Sequence, residues 1–289
     1  MTNFDRPIAG RRRPIRTGVA LLVVVSVRMA TGAAVASAGA PTYDRQVRTL
    51  ADALGAFDEA ARVAARDPRR ASELYEKAAA GFESLIADGV RNGRLFYNLG
   101  NTYVRLGRLG KAIASYRRAA ALMPDDPNLR ENLRFARTLR QDQIAPPETA
   151  TAVRSLLFWH YGVSMRWRAN IALAAYVAFW ALLAAGRLVR GRLAALVWAS
   201  RAAGLTALML GASVLIENHD RRTTQAGVLI TDGVVLRKGN GEAYEPQYNY
   251  RFSDGLEFDL VEPPRGDWLH IRLPDDKDGW VRSDQVELI

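Results

Sequence analysis

The chain of 289 residues is 49% hydrophobic, has a formal net charge of +10 and contains no cysteine. The absence of cysteine excludes disulfides, thiolate metal sites and cysteine nucleophiles. Length and composition exclude a disordered protein and fit two modest domains together with membrane segments.

The basic excess lies in two short stretches of the sequence. Residues 1–40 hold six arginines and one aspartate, and residues 187–201 hold four arginines and no acidic residue. These stretches contribute +5 and +4 to the total charge of +10. Because Arg and Lys accumulate on the cytoplasmic flanks of membrane segments, the charge indicates membrane topology and argues against nucleic-acid binding.

The N-terminal stretch, residues 1–40, has the layout of a signal peptide. A basic lead-in precedes the apolar run 19–27, and small residues follow as far as Ala40. Ala36 and Ala38 satisfy the small-x-small rule for cleavage. An uncleaved N-terminal anchor is the alternative, and both interpretations export the residues that follow.

An all-α domain is predicted over residues 41–142. It begins with two helices, over 43–67 and 71–87, because apolar residues recur there at helical spacing. These residues are Val47, Leu50, Leu54, Phe57, Ala61 and Val63 in the first helix, and Ala78, Phe82 and Leu85 in the second. The second set has the spacing of a degenerate copy of the repeat described next.

One complete helical repeat of 34 residues occupies residues 93–126. Small residues stand where two antiparallel helices approach, and large apolar ones stand in the seam between them. The eight signature residues are Phe96, Leu99, Gly100, Tyr103, Ala112, Tyr116, Ala119 and Pro124. This pattern is that of a tetratricopeptide repeat, in which Gly107 ends the first helix and Pro124 ends the second.

The inner helix of such a repeat usually lines a concave groove for a partner segment. The residues at the groove positions are Arg94, Tyr97, Asn101, Val104 and Arg105. An asparagine amide can bind a peptide backbone or a carboxylate, and arginines favour acidic groups. The alternative is that these side chains are solvated or contact neighbouring helices, and the sequence does not decide between the two.

A further helix is predicted after the repeat, beginning at Pro127. Its apolar stripe includes Leu129, Leu133 and Ala136. Since one repeat cannot bury its apolar face alone, we expect this helix to cover the open end of the stack.

Two apolar runs predict a transmembrane helical hairpin. A linker and interfacial segment over 143–168 precedes them and carries an aromatic cluster typical of a membrane interface. The helices are predicted over 169–186 and 197–216, each near the length that spans a bilayer. Arg201 is expected to reach towards the near interface, because a charge inside the bilayer is costly.

Small residues and arginines predict the packing and the orientation of this hairpin. Ala203, Ala207 and Gly211 lie four residues apart, which would let the two helices approach closely. The arginine-rich loop over 187–192 is predicted to be cytoplasmic. Both flanking domains would then lie on the outer, periplasmic side of the bacterial cytoplasmic membrane.

The last segment, residues 223–289, changes to short β segments separated by Gly, Pro and Asp, which predicts a small all-β barrel. The predicted strands cover 228–230, 234–237, 256–261, 268–273, 280–282 and 286–289. The pieces GDWLHIRLPD and DGWVRSDQVEL, with the landmarks Trp268, Gly279 and Trp280, resemble the bacterial SH3-like domain. We interpret the tryptophans as structural landmarks, with ligand contact as the alternative.

No catalytic constellation is recognised in the sequence. His160, His219 and His270 lie in three different environments without a metal-binding spacing. The acidic run from Asp275 to Asp278 is typical of a solvated turn. The sequence therefore predicts a binding protein that is not an enzyme and has no metal or cofactor.

The order of these segments resembles the BatE proteins of the aerotolerance operon, with LFYNLGNTYVRLGRLGKAIASYRRA in the repeat and NLRENLRFARTLRQDQI after it. The resemblance covers nearly the whole mature chain, while the poorly formed first repeat and Arg201 depart from it. It implies a membrane-anchored scaffold of the cell envelope that works with membrane proteins bearing von Willebrand factor A domains and, indirectly, with a MoxR-type ATPase. The alternative function is peptidoglycan binding through the SH3-like domain.

Overall fold

A computed structural model describes residues 40–142, 144–145, 147–188 and 194–289. The predicted signal peptide or anchor therefore lies outside the described residues, apart from its last position.

Two compact units can be separated within this part of the chain. The first consists of residues 40–124 and 128–136, and the second of residues 125–127 and 137–289. The first unit is helical, whereas the second combines helices with a small sheet.

Local sequence signals explain where the first five helices begin and end, of which the fifth belongs to the first unit only over residues 128–136. The bounds are α1 Ala40–Val63, α2 Pro68–Ala87, α3 Gly93–Arg105, α4 Leu109–Leu122 and α5 Pro127–Thr138. Asp67 caps α2 by accepting a hydrogen bond from the backbone N–H of Arg70 at 2.9 Å. Asn92 caps α3 in the same way, accepting from Arg94 at 2.8 Å. Gly107 ends α3 with a φ of +71°, which glycine adopts without strain.

The first predicted helix is present as α1, and the face that it buries includes Phe57 but differs from the predicted one at its other positions. Val47 and Leu50 are 48% and 38% exposed. The buried residues are Ala53, Ala56, Phe57 and Ala60. Alanines serve here because α1 and α2 approach closely: a Cβ on Gly81 would lie 2.8 Å from the Cβ of Ala53.

The second helix, α2, buries its predicted apolar residues and is joined to the repeat by polar contacts. The buried residues are Ala78, Phe82 and Leu85. The hydroxyl of Tyr103 in α3 donates a hydrogen bond to Glu83. Arg108 donates to Glu76 at 3.1 Å. The helix pair of α1 and α2 and the clean repeat are therefore packed in sequence, as in a stack of helices.

The clean repeat consists of α3 and α4, which pack directly against each other. Its buried signature residues are Phe96, Leu99, Gly100, Tyr103, Ala112, Tyr116 and Ala119. Gly100 is the point of closest approach, since a Cβ there would lie 2.6 Å from ring atoms of Tyr116. Pro124 follows the end of α4 and is exposed.

In the second unit, the segment predicted as linker and interfacial region contains two short helices. These are α6 Glu148–Leu156 and α7 Phe158–Tyr161. They lead into α8 Met165–Leu188 and α9 Ala194–Thr223, which pack against each other as a helical pair. Both long helices are long and apolar enough to cross a membrane.

Close approach between α8 and α9 occurs at a different glycine from the predicted one. A Cβ on Gly204 would lie 3.0 Å from the ring of Phe179, whereas a Cβ on Gly211 would meet no atom within 4 Å. Ala203 and Ala207 of the predicted stripe are half-buried. An aromatic ring, rather than a second backbone, fills the space that the glycine leaves.

A buried arginine joins the start of α8 to the end of α9. Arg168 is 2% exposed and its guanidinium pairs with the carboxylate of Glu217. The same guanidinium donates to the hydroxyl of Ser213 at 2.5 Å and to the carbonyl of Val163 at 3.0 Å. Nδ1 of His160 lies 2.7 Å from that hydroxyl. Pairing of this kind offsets the cost of burying the charge.

The C-terminal part of the second unit is a five-stranded antiparallel sheet. The strands are β1 Ala226–Leu229, β2 Glu257–Leu260, β3 Trp268–Arg272, β4 Asp278–Arg282 and β5 Val286–Leu288. Their order is β4-β3-β2-β1-β5, with Gly227 opposite Phe258 and Leu269 opposite Val281. The core includes Leu229, Val234, Leu236, Phe252, Leu256, Ile271 and Val281.

The sheet is open across the described residues, whereas the sequence predicted a closed barrel. The strand predicted over 234–237 forms only isolated bridges, from Val234 to Phe252 and from Arg237 to Pro246 and Trp280. The chain that follows it contains Gly239, Gly241 and Pro246. Glycine weakens a strand and proline cannot donate to a ladder, so continuous pairing is interrupted here.

A segment from before the hairpin, residues 137–142 with Ile144, lies against the sheet of the same unit, and we call it the strap. Arg137 donates from two nitrogens to the two carboxylate oxygens of Glu257, each at 2.7 Å. Arg140 approaches the same carboxylate at 3.6 Å. Burial lowers the pKa of Arg140, and the neighbouring carboxylate opposes that effect.

Further strap contacts include a backbone hydrogen bond, a side-chain hydrogen bond and an apolar contact. The backbone N–H of Ser253 donates to the carboxylate of Asp142 at 2.5 Å, and its hydroxyl donates to Gln141 at 3.2 Å. Ile144 packs against the core of the sheet. The fold of the second unit therefore includes a segment that precedes the helical pair in the chain.

The approach of Gly100 to Tyr116 generates a prediction about stability. Gly100→Ala should lower the free energy of unfolding by about 1–3 kcal/mol, because the added methyl group overlaps a fully buried ring. Gly55→Ala in α1 is the matched control, since a Cβ there meets no atom within 4 Å. That control should raise stability by about 0.5–1 kcal/mol. Chemical denaturation of the full chain in detergent measures both, and equal shifts would contradict the packing argument.

Candidate functional site

The predicted groove residues of α3 meet a polar network that joins three helices. Tyr116 of α4 donates its hydroxyl hydrogen to Oδ1 of Asn101 at 2.7 Å. Asn132 of α5 donates from Nδ2 to the same oxygen at 3.0 Å and to the hydroxyl of Tyr97 at 2.9 Å. The network therefore holds α4 and α5 against the face of α3 that was predicted to bind a partner.

Burial strengthens this network. Tyr116 is fully buried and Tyr97 is nearly so, with their ring centroids 6.0 Å apart. The pKa of the Tyr116 hydroxyl is raised, first by burial and then by the neighbouring Tyr97. A buried hydroxyl that stays protonated remains a hydrogen-bond donor to Asn101 at all physiological pH values. Polar groups satisfied in this way are costly to remove.

The five predicted groove residues thus fall into two groups. Tyr97 and Asn101 contact α5, which is the alternative that the sequence left open for them. Arg94 in the first turn of α3 and Arg105 in its last turn are exposed, and Val104 is half-buried. The two arginines are eleven residues apart, or roughly 16 Å along the helix axis. They form a basic rim, which we define as Arg94 and Arg105.

Asn132 is the member of this network that sequence reasoning missed. It lies on α5 between the buried positions Leu129, Leu133 and Ala136, three residues from the first and four from the last. A polar residue within an apolar helical stripe is the signal that could have identified it, because such a position faces other helices. Its amide needs partners there, and Tyr97 and Asn101 supply them.

One of the three landmarks of the sheet, Trp280, belongs to a stacked pair of rings. Trp280 is 9% exposed and stacks on His270 with a centroid distance of 4.7 Å. The guanidinium of Arg265 lies over the same indole ring at 5.4 Å. Gly279 is buried, and a Cβ there would approach Leu236 at 3.1 Å. Trp268 is half-buried.

Carboxylates surround this stacked pair on the sheet. Nε2 of His270 lies 3.0 Å from Asp278, and its Nδ1 lies 3.2 Å from Glu262. The acidic run forms the turn between β3 and β4, in which Asp276 has a φ of +67°. Tyr248 bonds to Asp275, and burial, followed by that carboxylate, raises the pKa of the tyrosine. The other two predicted histidines lie elsewhere, His160 beside Ser213 and His219 exposed near the end of α9.

Comparison with known proteins identifies the helical region. A family described as TPR repeat matches residues 92–136, which include α3, α4 and most of α5. The predicted repeat is therefore confirmed, and the match extends into the helix that carries Asn132. No curated protein matches the chain, and no solved structure matches it.

Proposed function

We propose that this protein is a non-enzymatic, membrane-anchored scaffold that binds protein partners through its tetratricopeptide repeat region. The observation that carries the proposal is the repeat over residues 92–136, because such repeats serve as protein-binding surfaces. The stack has a helix on either side of the clean repeat, so its surface is preorganised for binding.

The basic rim is the proposed contact surface for the partner. Arg94 and Arg105 are exposed at the two ends of α3. Tyr97 and Asn101 hydrogen-bond to Asn132 of α5. Guanidinium groups bind carboxylates with two parallel hydrogen bonds, so the partner segment is proposed to be acidic. The internal network then acts by holding α3 in position rather than by touching the partner.

Membrane anchoring by α8 and α9 is supported by the positions of their charges. Arg168, at the start of α8, and Arg187, near its end, are nineteen residues apart, or about 28 Å, close to the hydrocarbon thickness of a bilayer. The residues between them carry no charge. The buried pair of Arg168 with Glu217 would lie at one interface and the arginine-rich loop over 187–192 at the other.

The strap supports a hairpin that crosses the membrane an even number of times. Arg137 precedes α8 and Glu257 follows α9, and their direct contact requires both to lie on one side of the membrane. With the arginine-rich loop in the cytoplasm, that side is the outer one. The repeat region continues directly into Arg137 without an intervening apolar span, so it is proposed to be external as well.

From the resemblance to BatE proteins we also propose the partners and the complex in which this protein works. The partners would be membrane proteins bearing von Willebrand factor A domains, with a MoxR-type ATPase acting indirectly from the cytoplasm, in an aerotolerance-type complex of the cell envelope. The open sheet with its Trp280 core would be the SH3-like domain of such a protein.

The strap generates a prediction about topology. The chain has no cysteine, so a pair introduced as Asp142→Cys and Ser253→Cys is the only reactive pair. A short bifunctional thiol reagent should cross-link it in intact membranes, because the native groups are in hydrogen-bond contact. A membrane-impermeant maleimide applied from outside should block the cross-link.

The matched control for the topology experiment is Arg187→Cys, at the opposite end of the hairpin. It should react with the impermeant maleimide only after the membrane has been opened. Labelling of positions 142 and 253 from opposite sides would refute an even number of crossings.

The basic rim generates a prediction about partner binding. Arg94→Glu with Arg105→Glu should reduce recovery of partners, cross-linked in intact membranes and identified by mass spectrometry, by about tenfold, since like charges then face an acidic segment. Arg66→Glu with Arg69→Glu is the matched control, because both arginines are exposed near the start of α2 and the charge change is equal.

Three outcomes of the binding experiment are informative. Loss of a von Willebrand factor A membrane protein only in the rim variant would support the proposed assembly. Equal recovery from both variants would contradict the rim assignment. Recovery of peptidoglycan fragments alone, abolished by deletion of residues 223–289, would favour the alternative function.

A further inference from the structure

A groove runs along the surface between α8 and α9. Its volume is about 560 Å³ and it is open along one side. The lining is formed by aromatic, small and aliphatic side chains together with one cation: Ala172, Tyr176, Phe179, Arg201, Gly204, Leu205, Ala207 and Leu208. At Gly204 the ring of Phe179 lies directly against the backbone of α9, since a Cβ there would be 3.0 Å from that ring.

The cation of this groove is exposed within an apolar helix. The guanidinium of Arg201 lies over the ring of Trp198 at 5.2 Å. Among the residues that the structure describes, it has no carboxylate partner, in contrast to Arg168, which pairs with Glu217. An arginine at this depth needs an anion or water, since charges inside a bilayer are costly.

We propose that this groove binds one anionic phospholipid of the cytoplasmic leaflet, with its phosphate at Arg201 and an acyl chain along Tyr176, Phe179 and Leu208. The inference rests on the proposed membrane hairpin with its arginine-rich loop in the cytoplasm. Guanidinium groups bind phosphate oxygens through paired hydrogen bonds, and basic pockets between transmembrane helices bind lipid headgroups.

The order of residues along α9 matches the polarity of a lipid. Arg201 lies seven residues from the start of the helix, near the loop, and Leu208 lies seven residues further on. The cation is therefore about 10 Å nearer to the cytoplasmic end than the apolar end of the groove. A phospholipid presents its charge and its hydrocarbon in this same order.

The test uses the full chain released from vesicles that contain equal amounts of phosphatidylglycerol and phosphatidylcholine. Native mass spectrometry should find phosphatidylglycerol retained over phosphatidylcholine by about tenfold. Arg201→Gln should abolish this preference, and Arg201→Lys should restore part of it. Arg187→Gln is the matched control, because it removes an exposed arginine that does not line the groove, and it should leave the preference unchanged.

A second variant tests the space in the groove independently of the charge on Arg201. Gly204→Leu fills the groove against Phe179 while keeping Arg201, and it should reduce retention of both lipids. Equal retention of the two lipids by the native chain, or equal effects of Arg201→Gln and Arg187→Gln, would overturn the proposal. Loss of a co-purified membrane protein instead of lipid in Arg201→Gln would overturn it in favour of a partner carboxylate.

Extraction with alkaline carbonate distinguishes failure of this inference from failure of the proposed function. If carbonate extracts the native chain from the membrane, the proposed membrane anchor is wrong, and the proposed lipid site is then wrong as well. If the chain stays in the membrane without a lipid preference, only the lipid site is wrong.

Discussion

The second unit depends on the pair between Arg137 and Glu257, which lie 120 residues apart in the chain. The carboxylate is only 14% exposed and receives two hydrogen bonds from one guanidinium, with a second arginine nearby. Buried ion pairs add little net stability, but removing one partner leaves an uncompensated charge, so loss of Arg137 would be costly for the buried carboxylate. The contact between Arg137 and Glu257 joins the two ends of the chain segment that contains α8 and α9. In the proposed arrangement this contact makes a helical hairpin the simplest path through the bilayer.

The repeat region uses internal polar pairing in a similar way. Asn101 accepts hydrogen bonds from Tyr116 and Asn132, which belong to two other helices. A satisfied amide at this position orients α4 and α5 on α3 more specifically than apolar contact does, because hydrogen bonds are directional. Because Asn101 already accepts these two hydrogen bonds, it could bind a partner only after rearrangement. In the proposed function, exposed charges such as Arg94 contact the partner, while the buried residues hold α3 in position.

Short-range patterns made part of this structure predictable from sequence. The 34-residue repeat predicted α3 and α4, since spacing along one helix decides which side chains face its neighbour. The buried face of α1 was not predictable in the same way, because the close approach of Gly81 makes Ala53 the contact residue instead of Val47 or Leu50. The partners of Asn101 and of Glu257 come from other helices and distant segments. Local periodicity carries no information about such pairs, nor about where Gly and Pro interrupt a sheet.

Two arginines of the helical pair, Arg168 and Arg201, have opposite surroundings. Arg168 is buried and its charge is balanced by Glu217, with the hydroxyl of Ser213 and the carbonyl of Val163 as further acceptors. Arg201 is exposed beside an apolar groove and contacts only the face of Trp198 among the described contacts. A bilayer tolerates a charge when acceptors surround it, so the first arginine needs nothing from outside the chain. The second needs an acceptor that the described chain does not supply, and the phosphate of a neighbouring lipid is the acceptor that the membrane offers at that depth.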